Sequence, residues 1–241
     1  MSTIDELAKN HGWSDEEARI RHAICEIGRL CYGKGFIVGA DGNLSARLAD
    51  NTVIITPAGA MKGFLSAEHL AHIDMQGTVI DNGPRCSTEA GIHLVSYTER
   101  ADVRAVLHCH PPHAVALTLA GIDMQIPIIP EIIVTIGGIP TAPYGTPGTD
   151  ELPESIRALV RCSDTLVMQN HGSVTLGSNL LDAFKKLDML EHTAKILWLA
   201  NCVGTVKPLP PEAVMKLLGT RAKLGIKSVN TLENQCGLPK H

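Results

Sequence analysis

The run "VRAVLHCHPPHAVAL" (Val103–Leu117) is an apolar segment that offers two histidines one residue apart, then two prolines, then a third histidine. Its first half reads as a buried strand, in which residues two apart share a face, so His108 and His110 project together at the carboxyl end. Pro111 and Pro112 cannot continue the pairing; they end the strand and open a short helix through "HAVALTLAG". Two imidazoles on one face, where the backbone opens, have bidentate geometry for one metal ion. Such a pair is also met as ordinary hydrogen-bonded surface. Cys109, between them, points to the opposite face and reads as core. His113 falls inside the following helix, where it reads as a packing residue or as support for a ligand.

Two further groups bear on the choice between metal and surface. In "TLVMQNHGSVTLG" an apolar strand ends in Asn170, His171 and Gly172, again setting an imidazole at the tip of a buried element. Glu89 lies in the first turn of the helix that precedes the His108 strand. There it suits a metal ligand, a base, or simply a favourable charge at a helix amino terminus. Three imidazoles and one carboxylate would suit zinc, with a position left for substrate.

Outward from this centre the elements mix. Ser14 and Glu17 make a capping box for a helix with Ile20, Ile24, Ile27 and Cys31 at helical spacing, stopped by Gly33 and Gly35. "NLSARL" and "NTVIIT" read as short strands joined by a turn, followed by the loop "TPAGAMKG" and a strand-turn-strand around "HIDMQGTVI". "CSTEAGIHLVSYTER" reads as a helix that starts at Ser87 or Thr88, with Ala90, Leu94 and Tyr97 along one face. Strands are expected near "EIIVTI", at "TAPY", "TLVMQ" and "VTL". Helices are expected at "DELPESIRALVR", from Ser178 to about Ala200, and at "PEAVMKLLGTRAKLG". The whole is expected to be one domain over residues 1–241, α/β in class and layered α/β/α, with an irregular tail from about 201.

At 241 residues, 44% hydrophobic and 19% charged, the chain can bury a substantial core. Its net charge of −4 comes from mixed signs without long runs. That pattern builds no basic surface for nucleic acid or an anionic membrane and points to a small-molecule partner. The charged amino terminus and the proline-cut apolar stretches predict a soluble, cytoplasmic protein. Seven cysteines without a CxxC pair fit reduced thiols.

Beside the proposed metal lies a candidate anion pocket. "DGNLS" (Asp41–Ser45) and "PAGAMKG" are turn-forming loops that expose backbone N–H groups, and Ser87 and Thr88 add hydroxyls at a helix amino terminus. Each fragment alone is a weak signal, because most such residues are only turns and caps.

Taken in order, "GNLSARL", "ITPAGAMKG", "STEAGIHLVSY", "VLHCHPPHAVALTLAG", "APYGTPGTDEL" and "QNHGSVTLG" resemble the class II aldolase and adducin-head family over roughly residues 15 to 200. The resemblance implies a three-layer fold around a mixed, mostly antiparallel sheet. It also implies a homotetramer with active sites at subunit interfaces. By position His108, His110 and His171 match the zinc ligands, and Glu89 matches the catalytic acid/base that also approaches the metal. Zinc is the expected ion, with manganese or cobalt as alternatives. The family's phosphate pocket falls on Gly42, Asn43, Gly59, Ser87 and Thr88.

The departures bear on the reaction. Ala58 stands where fuculose-phosphate aldolase has a threonine, and Glu131 stands in the place of the family's inter-subunit tyrosine. Only Tyr32, Tyr97 and Tyr144 are present in the whole chain. Glutamate at position 89 looks like the aldolases, since the epimerase branch has aspartate, and the histidine set separates the chain from the adducin heads. The resemblance therefore implies a zinc-dependent aldolase that cleaves a sugar phosphate, such as fuculose 1-phosphate, to dihydroxyacetone phosphate and an aldehyde. Its relatives also include decarboxylases and a dehydratase, which would share the metal and the enolate but break a different bond. A scaffold without chemistry is the non-enzyme alternative.

Overall fold

Helix α2 (Asp15–Gly33) begins as its sequence dictates, with the Ser14 hydroxyl accepting from the Glu17 N–H at 3.1 Å. The reciprocal half of the box is absent, because the Glu17 carboxylate turns instead to Arg21, a buried guanidinium that also donates to the carbonyls of Ala67 and Leu70. The computed structural model describes residues 3–227, 229, 230 and 232. The chain forms two compact units, Met1–His110 with Leu176–Phe184, and Pro111–Thr175 with Lys185–His241.

In the first unit a short helix, α1 (Thr3–His11), precedes α2; the sequence reading did not anticipate it. Strands β1 (Asn43–Arg47), β2 (Val53–Ile55), β3 (Ala71–Ile73) and β4 (Ala105–Cys109) pair in the order β3-β2-β1-β4, antiparallel throughout. The register sets Asn43 opposite His108 and Ser45 opposite Val106. Asn43, Ser45 and His108 therefore share a face. Helix α3 (Ala90–Glu99) lies over that face, since His93 and Tyr97 bond Ser45. Cys109, on the opposite face, meets Cys31 of α2. Two helices thus sandwich this half-sheet, an α/β/α layering within the unit.

In the second unit β6 (Thr165–Met168) pairs antiparallel with β7 (Ser173–Gly177) and parallel with β5 (Thr141–Ala142). The strand pairings are mixed and mostly antiparallel, as expected. Helices α4 (Pro112–Leu119), α6 (Glu151–Val160), α7 (Leu180–Val203) and α8 (Pro211–Lys223) fall where the sequence predicts helices. The core of this unit gathers Leu117, Ile132, Ile136, Val167, Leu190 and Leu197.

The expected strand near "EIIVTI" is instead helix α5 (Pro130–Thr135). A β-branched run favours a strand only while its neighbours agree. Here Pro130 sits at the first helical turn, and Ile132 and Ile136, four apart, enter one core together. Buried Arg221 of α8 caps the end by donating to the carbonyls of Val134 and Thr135. The start of α3 differs as well: Glu89 is the residue before the helix, at φ −104° and ψ 20°, and Ser87 and Thr88 precede it. Of the expected Ala90–Leu94–Tyr97 line, Ala90 and Tyr97 are buried and Leu94 is only half-buried, while Ile92, His93, Val95 and Ser96 complete the buried surface of the helix.

Cys25, Cys31, Cys86, Cys109 and Cys202 are free thiols, whereas Cys162 is disulfide-bonded, against the expectation of reduced cysteines. Of the final stretch 229–241, where an irregular end is expected, all but residues 229, 230 and 232 lie outside the described residues. Among the described residues no helix is long and apolar enough to cross a membrane.

Candidate active site

His108 is the next-to-last residue of β4 and fully buried, and His110 stands just beyond the strand, tied by its backbone N–H to the Phe36 carbonyl before Pro111 breaks the pairing. Their Nε2 atoms face one another at 3.0 Å. The Glu89 carboxylate approaches the same point, with Oε2 at 3.4 Å from His108 Nε2. Ligands at zinc–nitrogen and zinc–oxygen bond lengths in a tetrahedral shell are separated by about 3.3 Å. Both separations, each measured from His108 Nε2, match neighbours in one coordination shell. Asp41 Oδ2 lies 3.8 Å from His110 Nδ1, the ring atom turned away from that shell.

In the second unit His171 occupies the turn between β6 and β7. Its N–H closes on the Met168 carbonyl at 3.1 Å after Asn170 adopts a left-handed φ of 57°. Asparagine tolerates that conformation, which explains why "NHG" can turn an apolar strand so sharply. Each unit thus offers imidazole donors of the kind that hold a metal ion, His108 and His110 in the first and His171 in the second.

A cavity of about 300 Å3 in the first unit is lined by Gly42, Asn43, Gly59, Ser87 and Thr88, together with Glu89 and His110. Gly42 has φ +66°, and a Cβ there would lie 2.8 Å from the His108 carbonyl oxygen. Only glycine lets the loop pass so close to the strand that carries the histidine. Ala58, expected to stand where fuculose-phosphate aldolase has a threonine, also lines the cavity.

Two residues of this site carry no spacing that marks them in the sequence. Lys62 is buried, lines the cavity, and donates to the carbonyls of Ala40 and Ala60 at 2.5 and 2.8 Å, which pins the two loops together. Burial pulls its ammonium below the usual lysine range, with Asp41 and Glu89 opposing the shift. His93 is fully buried and bonded to Ser45 and Asn43. Burial is the largest cause that holds it neutral, bringing its pKa down to about 3.

His113 belongs to packing in its own unit. The buried Glu191 carboxylate accepts from its Nδ1 and from the N–H groups of His113 and Ala114, so it caps α4.

The sequence matches the family described as Class II Aldolase and Adducin N-terminal domain over residues 22–198. It is 35% identical over 182 residues to the 3-oxo-tetronate 4-phosphate decarboxylase of Haemophilus influenzae, covering 74% of this chain and 86% of that protein. Identity to the L-fuculose phosphate aldolase of Methanococcus maripaludis is 31% over 179 residues, covering 74% and 96%. A solved L-fuculose 1-phosphate aldolase superposes with a TM-score of 0.77 at 27% identity, covering 84% of this chain and 95% of that one.

Proposed function

Because the chain belongs to the class II aldolase and adducin family, whose relatives here are lyases, we propose that it is a metal-dependent decarboxylase of a 3-oxo sugar-acid phosphate. This reading departs from the aldolase expected from sequence, and the tyrosines carry the change. Cleavage to an aldehyde requires a group that takes the proton of the leaving hydroxyl, whereas a β-keto carboxylate is already ionised and leaves as carbon dioxide. Tyr97 is buried against Ser45, Tyr32 packs edge-on against Phe64, and Tyr144 is exposed; none of the three lines the cavity. The 35% identity to a decarboxylase supports the same reading.

His108, His110 and His171 would hold the cation, zinc before manganese or cobalt, which supplies Lewis acidity to the 3-oxo group. The phosphate would rest on the N–H groups of the Gly42 and Gly59 loops and on the hydroxyls of Ser87 and Thr88. Ser87 Oγ already accepts from Asn43 and from the Glu89 N–H, so its own hydrogen is left to donate. As the C1–C2 bond breaks, the electron pair passes into a C2–C3 enediolate. Glu89, in its acid form, then delivers a proton to C2. From 3-oxo-tetronate 4-phosphate the product is dihydroxyacetone phosphate, the same fragment that aldol cleavage of fuculose 1-phosphate releases. One site can therefore serve either reaction, which is why the sequence left both open. We also keep the expected cytoplasmic homotetramer as part of this reading.

The test offers zinc-loaded protein 3-oxo-tetronate 4-phosphate and L-fuculose 1-phosphate separately, with carbon dioxide, aldehyde and dihydroxyacetone phosphate measured. Carbon dioxide from the acid is the expected result. Aldehyde from the sugar with no carbon dioxide from the acid would return the assignment to an aldolase. Glu89→Gln should bind zinc yet lose about 100- to 10,000-fold in kcat.

A further inference from the structure

A line of buried polar groups leads from the core to Glu89. Tyr97 Oη meets Ser45 Oγ at 2.7 Å, and Ser45 Oγ meets His93 Nδ1 at 2.6 Å. His93 Nε2 meets Asn43 Oδ1 at 2.5 Å, and Asn43 Nδ2 meets Glu89 Oε2 and Ser87 Oγ, both at 3.0 Å. His93, Ser45 and Tyr97 are fully or almost fully buried, so water cannot stand in for any of these partners.

The direction of every proton along this line follows from its last member. Glu89 Oε2 accepts both when the carboxylate is ionised and when the proton to be delivered sits on the other oxygen, so the Asn43 NH2 must face Glu89, and its carbonyl must face His93. His93 Nε2 is then a donor. With a single ring proton, Nδ1 must accept, which makes the Ser45 hydroxyl its donor and leaves Tyr97 to donate to Ser45. All four links point toward the carboxylate.

The alternative tautomer, with the proton on Nδ1, would set a bare nitrogen against the Asn43 carbonyl. Asn43 would relieve that clash by flipping, and its carbonyl oxygen would then face Glu89 Oε2. A carboxylate repelled in this way would leave its place beside His108. We infer that His93 is a positioning residue for the acid/base. As the Nε2–H tautomer it locks the Asn43 amide, and the locked amide holds Glu89 Oε2 so that the other oxygen is the one left to reach the substrate carbon. Neither the family match nor the names of the relatives assigns His93 this part. The inference rests on the reading of Glu89 as the group that moves the proton.

Two measurements test it on the full, zinc-loaded chain. In 15N-labelled protein, long-range proton–nitrogen correlation should show His93 protonated at Nε2 and bare at Nδ1 between about pH 6 and 8. Finding the proton on Nδ1, or on both nitrogens, overturns the inference. Kinetics supply the second measurement. His93→Gln can donate to Asn43 through its amide and accept from Ser45 through its carbonyl, and it should hold kcat within about tenfold. His93→Leu can do neither and should lose about 100-fold in kcat with KM little changed. A merely structural histidine would lower the melting temperature of both variants without separating their kcat values. His93→Leu turning over like wild type overturns the inference; should that variant not fold, the tautomer and the glutamine variant still decide. Active Glu89→Gln would sink the role given to Glu89, and with it the catalytic purpose of the line, while the nitrogen spectra would still report the tautomer.

Discussion

Gly42 shows how much one missing side chain decides. Its φ of +66° and the His108 carbonyl oxygen, 2.8 Å from any added Cβ, impose two separate penalties, whereas Gly59 at φ +71° has nothing within 4 Å of that position. Gly59→Ala should therefore cost about 1–2 kcal/mol of unfolding free energy. Gly42→Ala should cost about 1–3 kcal/mol more, read from denaturant midpoints. His93 provides a second residue-scale outcome. It is held neutral in the fold at a pKa of about 3, while the unfolded chain titrates near 6.5. Below the unfolded value the denatured state binds the extra proton, so stability is fully present above about pH 6.5 and falls as the pH drops from there toward 3. Wild type should lose about 1.4 kcal/mol per pH unit relative to His93→Gln in urea titrations between pH 6 and 4.5. Parallel curves would contradict the burial of a neutral ring. The residue types at Gly42, His108 and Glu89 announced chemistry in the sequence. Lys62 and His93 did not, since a buried cation between two carbonyls and a neutral ring between two side chains depend on partners 22 and 50 residues away.

Among the elements, those whose ends carry a local signal were the most readable. α2 starts at Ser14 because its hydroxyl takes an N–H that the first turn leaves open. Ser14→Ala should cost about 1 kcal/mol in thermal or chemical unfolding, with activity intact. α5 was misread because "EIIVTI" has strand-forming residues throughout, and only the shared burial of Ile132 and Ile136 and the capping by Arg221 tip it to helix. α3 was anticipated, but its first residue was not. Placing Glu89 just ahead of the helix sends the carboxylate toward His108, while Ser87 Oγ accepts the Glu89 N–H.

For the molecule as a whole, a bound cation should act on stability as well as on turnover. An ion that binds only the folded chain adds about 4 kcal/mol when present at about 1,000 times its Kd. Chelation should lower the melting temperature by several degrees and added zinc should restore it; a melting curve indifferent to both would count against the metal assignment. The family, the α/β class, the alternation of His108 with Cys109, the loops near the cavity and most helices were determined by sequence alone. They rest on short-range facts: strand period, proline and glycine geometry, capping hydroxyls and motifs in a fixed order. Tertiary structure decided the helix at Pro130–Thr135, the burial of Lys62, and the hydrogen-bonded line from Tyr97 to Glu89. It also buried Tyr97 against Ser45, 52 residues away. Each of these depends on which atoms meet across long sequence separations, and a donor, an acceptor or a desolvated charge has no meaning until its partner is in place.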